Sequence, residues 1–136
     1  MRSYQTKIII AIAGVWLFGC TYTTSYPPDF NEKKTAVPDS IKVKYGFEDI
    51  TFLAKKTTRS GGKKTSLTVK FINGKGLPAD TTASTALEKI LGSRIKTTVK
   101  NPKEFDTYII LFDNVVVKGA VTNEDYTGHE FKSEEL

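Results

Sequence analysis

The chain has very little of what demanding chemistry needs. Its 136 residues hold one cysteine, Cys20, and one histidine, His129. A single cysteine excludes an internal disulfide. With only one histidine beside it, the Cys and His sets that hold zinc or copper are missing too. The uncharged run Ile8 to Gly19 has 12 residues, short of the roughly 20 that a membrane-crossing helix requires. No internal repeat appears, which excludes solenoids and arrays. The P-loop spacing is absent. Ser60, Ser66, Ser84, Ser93 and Ser133 lack a nucleophile-elbow context and have one histidine between them. These absences predict no catalytic set, no metal site and no cofactor.

What is there begins at the N-terminus. Arg2 and Lys7 precede the apolar run, which ends Leu17-Phe18-Gly19-Cys20. A basic start, a short apolar centre and a small residue before the cut describe a secretory signal peptide. A leader cut without lipidation and a short anchor are the other readings of this run. With a cysteine directly after the cut, the segment resembles a bacterial lipoprotein signal. That resemblance implies cleavage between Gly19 and Cys20, a lipid-modified Cys20 and a place in the cell envelope. Thr21, where an aspartate would imply inner-membrane retention, implies the outer membrane.

Residues 20–39 contain three prolines and many hydroxyls without an apolar period, which predicts a lipid-anchored tether before a domain spanning 40–136. Packing of Tyr22, Tyr26 or Phe30 back onto the domain is the alternative. Residues 40–47 suit either a strand, by the alternation of Ile41, Val43, Tyr45 and Phe47, or a helix closed by Gly46.

From residue 49 the pattern is clearer. Asp49–Thr58 and Thr65–Asn73 alternate apolar and polar residues around Arg59-Ser60-Gly61-Gly62-Lys63, a hairpin signal. After the loop Asn73–Pro78, Asp80 or Thr82 can cap a helix. Its expected apolar stripe is Ala83, Ala86, Leu87, Ile90, Leu91, Ile95 and Val99, with Glu88 off the stripe. Asp106–Val117 reads as a central strand with a bulge at Asp113-Asn114, and Val121–Phe131 as its partner. The order ββαββ predicts an α+β fold: an antiparallel sheet of about four strands with one helix on one face. The layout is similar to that of short bacterial lipoproteins of unknown function. That resemblance carries no activity.

Charge is unevenly spread. Residues 54–100 hold eleven basic side chains against Asp80 and Glu88. Residues 104–136 hold eight acids against Lys118 and Lys132. Two readings follow. Basic and acidic strands can lie side by side and pair across the sheet. Alternatively Lys55, Lys56, Arg59, Lys63 and Lys64 form a basic hairpin tip for anionic lipid headgroups or polysaccharide. No nucleic-acid motif is present. The expected partners are therefore the membrane, through Cys20, an envelope protein, and an anionic glycan or lipid.

Other polar residues carry bland expectations. His129 is expected at the surface. Asp106 and Asp113, seven residues apart and so more than about 20 Å along a strand, are too far apart to act together. Asn73-Gly74-Lys75-Gly76 is expected to be a turn rather than a phosphate cradle. Tyr108 and Phe112 are expected in the core, and Tyr126 with Phe131 is a candidate interface anchor.

Overall fold

Two tight reversals, at Ser60-Gly61 and Gly119-Ala120, fold four long segments into two hairpins. At the second reversal Gly119 has φ 63°, a left-handed backbone that a side chain would resist. In the computed structural model, which describes residues 20–136, the strands are β1 (Tyr22–Tyr26), β2 (Asp49–Arg59), β3 (Gly62–Ile72), β4 (Thr107–Lys118) and β5 (Val121–Lys132). The expected leader and its cut after Gly19 lie outside the described residues.

The five strands make one sheet in the order β1-β2-β3-β4-β5. The class is α+β, as expected, but the sheet is mixed. β3 and β4 run parallel, with Ser66 opposite Thr107 and Ile72 opposite Asp113, while every other pair is antiparallel. The reason is the connection. β3 leaves the sheet at Ile72, and helix α2 (Thr81–Lys96) carries the chain back to the other end before β4 begins. A crossover of this kind produces a parallel neighbour, whereas a two-residue turn produces an antiparallel one.

A second helix, α1 (Ala36–Tyr45), resolves the ambiguous segment. Gly46, at φ 66°, ends it: its backbone N–H and that of Phe47 both donate to the Lys42 carbonyl. Proline at position 38 falls in the first turn, where no amide donor is needed.

The expected tether is the largest departure. Residues 22–26 pair with β2, Tyr22 opposite Thr58 and Tyr26 opposite Ala54. Phe30 bridges to Val99 and meets the Phe52 ring edge-on at 4.8 Å. Alternating threonine, serine and tyrosine need only one partner strand and a little apolar cover, which an exposed edge provides. Tyr26 is fixed further by donating to the Glu104 carboxylate at 2.8 Å.

The core lies on one face of the sheet. Rows of side chains cross it, including Ile50, Phe71 and Phe112, and Ala54, Leu67, Tyr108 and Phe131, all buried. Phe47 stacks among Phe71 and Phe112. Both helices touch this assembly, with Ile41, Leu91 and Ile95 fully buried. The stripe on α2 is turned from the expected one. Ile90 is 54% exposed, while Glu88, Leu91, Gly92 and Ile95 face inward. Gly92 makes this rotation feasible, because a Cβ there would lie 3.2 Å from Ile110 and 3.0 Å from Leu136. Nor is Asp113-Asn114 a bulge: the β4–β5 register runs unbroken through Asp113–Tyr126 and Asn114–Asp125.

Burial of Tyr108, assisted by the Glu104 charge, pushes its phenol up to about 12. Tyr26 rises to about 12 through burial, its bond to Glu104 and that same charge. The folded state therefore favours the neutral phenols. Their contribution is complete below the ordinary value near 10 and is lost as pH climbs toward 12. In an ultraviolet titration two tyrosines are expected to ionise late. Glu104→Gln removes the charge but not the burial, so it should lower both phenols part-way and Tyr26 the more. An unchanged late phase in that variant would contradict the role given to Glu104.

Candidate functional site

Three polar assemblies emerge from the folded chain. The first is the basic end of the β2–β3 hairpin. Strand alternation divides its five cations: Lys55, Arg59 and Lys64 belong to the open face of the sheet, Lys56 and Lys63 to the helix-bearing face. Lys64 donates to Glu130 at 2.8 Å, and that contact holds the Glu130 carboxyl below its ordinary range. Lys70, further down the open face, reaches Asp113 at 3.6 Å and Glu124 at 4.0 Å. Part of the basic charge thus pairs across the sheet. Among the described residues, Lys55, Lys56, Arg59 and Lys63 make no ion pair.

The fold also adds cations that sequence proximity does not suggest. A cleft of about 770 Å³ beside the hairpin end is lined by Lys63, Lys64, Lys96, Lys103 and Lys132. Its acids are largely engaged within the fold. Asp106 accepts from the Thr65 backbone N–H at 2.7 Å and its hydroxyl at 3.1 Å, tying β3 to the entry of β4. Glu130 is held by Lys64, as above.

The second assembly joins residues distant in the sequence. His129 Nδ1 lies 2.6 Å from Glu88 Oε2, and Ser84 donates to the other Glu88 oxygen at 3.3 Å. Glu88 is 1% exposed, whereas the His129 side chain is 46% exposed. His129 is therefore at the surface, as expected, but it is paired through α2 rather than with its sequence neighbours Glu124, Asp125 or Glu130. The glutamate lies between serine and histidine. A nucleophile triad instead needs the histidine in contact with the serine, and that contact is not made.

The third assembly is Asp113. It is 3% exposed, and its Oδ1 has no hydrogen-bond partner. It is buried beneath Lys70 on the open face. Asp106 and Asp113 sit at the two ends of the β3–β4 pairing, Asp106 just ahead of Thr107 and Asp113 opposite Ile72, so no acid–base pair forms.

The glycine-rich loop is a turn. Asn73, at φ 51°, uses its side chain as a peptide group: its amide N–H donates to the Val115 carbonyl and its oxygen accepts from the Val115 N–H. The N-terminus of α2 is occupied by Asp80, which accepts from Ala83 N–H at 2.8 Å. A carboxylate there repels an anion. Among the described residues no group of three metal-ligating side chains gathers, and no helix is long and apolar enough to cross a membrane. Cys20 is exposed and free.

No protein-family model, curated protein or solved structure matches the chain.

Proposed function

We propose that the chain is a lipid-anchored protein of the bacterial cell envelope, held in the outer membrane through an acylated Cys20. Its domain works there as a non-enzymatic interaction module. The observation that carries this reading is the exposed, unpaired Cys20 directly after an uncharged run that follows Arg2 and Lys7. The non-enzymatic part is supported by the polar assemblies, which serve the fold. Glu88 is shared between His129 and Ser84, Asp106 ties β3 to the entry of β4, and Asn73 ties the far ends of the same two strands together.

The test is fatty-acid labelling in cells followed by fractionation. Wild type is expected to take up label and sediment with membranes. Cys20→Ala is expected to lose the label and most of the membrane association. Equal labelling of the variant would refute the anchor.

A further inference from the structure

The register of β1 fixes where Cys20 lies. Tyr22 pairs with Thr58, and Arg59 pairs with Gly62 to close the hairpin. Continued back two residues, this register sets Cys20 level with the Ser60-Gly61 turn. The lone cysteine and the basic hairpin end thus share one pole of the sheet. The Lys118–Val121 end of the other hairpin is at the opposite pole, because β3 and β4 run parallel from the first pole to the second.

The chain between Cys20 and the sheet is therefore minimal. Only Thr21 separates Cys20 from β1, and two residues of extended chain span about 7 Å. That is within the roughly 8 Å over which charge acts at physiological salt. A cysteine held at a membrane surface brings the hairpin end within electrostatic reach of the headgroups. Arg59 and Lys63 would face that surface. Lys56 and Lys55, about 13–16 Å from the turn along β2, reach toward it on their long side chains. All four are exposed and without an ion pair among the described residues.

We infer that the Lys55–Lys64 hairpin end is a docking surface for the anionic phospholipid headgroups of the membrane in which Cys20 is anchored. The choice of membrane rests on the proposed anchor; the charge chemistry does not. Docking presses the domain against the bilayer and points the β4–β5 hairpin end, with Glu124 and Asp125, toward the aqueous side.

The experiment uses residues 20–136 carrying Cys20→Ser, a span that contains every strand and the whole core described above. The protein is sedimented with vesicles of phosphatidylcholine alone or with added phosphatidylglycerol, at low and high salt. Binding is expected only to the anionic vesicles and should fall steeply with salt. Each cation near such a surface contributes about five-fold in affinity, so the triple variant Lys55→Glu, Arg59→Glu, Lys63→Glu should bind at least roughly 100-fold more weakly. Lys118→Glu, at the opposite pole, should bind like the parent. Thermal melts of each variant separate lost binding from lost folding. Equal binding by the triple variant and the parent overturns the inference, as does binding to a soluble anionic polysaccharide without binding to vesicles. Acylation of Cys20 is read separately by labelling, so failure of the anchor and failure of the docking surface give different results.

Discussion

Replacing Gly128 with alanine is expected to destabilise the protein by about 3 kcal/mol, an overpacking loss at the upper end of the usual range. For a domain of this size that lowers the melting temperature by roughly 10 °C or more. The sign is informative, because alanine in place of a strand glycine normally helps by about 0.5–1 kcal/mol. Gly128 pairs with Leu111. A Cβ at position 128 would lie 2.0 Å from the Ile110 carbonyl oxygen, 2.8 Å from Leu111 Cδ2 and 2.9 Å from Leu111 Cα. Two of these three atoms are backbone and cannot swing aside. Relief requires β4 and β5 to separate locally, which breaks ladder hydrogen bonds beside Ile110, a core residue. Gly61→Ala is the control, since nothing lies within 4 Å of the place its methyl group would take; it should change stability by about a few tenths of a kcal/mol. A urea melt in which Gly128→Ala matches wild type would show that the strands do not approach this closely.

The second large effect is at Glu88. Its carboxylate is buried, and its partners are His129 and Ser84. His129→Ala removes the closer partner and leaves a buried charge to a serine bond of 3.3 Å. Breaking a buried pair on one side typically costs about 3–5 kcal/mol. The half-exposed histidine edge admits water once vacated, so a loss of about 2–3 kcal/mol is expected. The double variant Glu88→Leu, His129→Leu removes both polar groups and should recover most of that loss, since replacing such a pair with apolar residues is often neutral. Denaturant melts of the single and double variants form the test. If the double variant is as unstable as His129→Ala, the loss comes from packing rather than from an orphaned carboxylate.

Much of this fold could be read from local pattern. Gly61-Gly62 between alternating segments marked the β2–β3 hairpin, and the apolar density of Tyr108–Phe112 marked a strand that is interior to the sheet. What escaped was non-local or too polar to signal. β1 carries Thr23, Thr24 and Ser25 and borrows its stability from an edge. The α1 helix hid behind apolar residues at alternate positions, of which Val43 is 86% exposed. The parallel β3–β4 joint has no local signature, because residue order does not say which strands become neighbours. Glu88 and His129 are 41 residues apart, and only the rotation of α2 toward Gly92 brings them together. The one available signal was Gly92 itself, a poor helix former that lets the helix face beside it approach the sheet. The lysines of the cleft, Lys96, Lys103 and Lys132, come from three separate segments.

The parallel joint also governs how the sheet assembles. Each hairpin closes over a two-residue reversal, so both can form early from local contacts alone. Joining β3 to β4 must instead bring Ser66 to Thr107, about 40 residues along the chain, at an entropic cost about 2 kcal/mol greater than for a loop of a few residues. Non-local pairings of this kind slow folding. Until the joint closes, Leu67, Val69 and Phe71 flank an unsatisfied strand edge in the middle of the future core. The seam between the two hairpins is therefore the last part of the sheet to be secured, and the interval before it closes is when the chain is most open to pairing with another copy of itself.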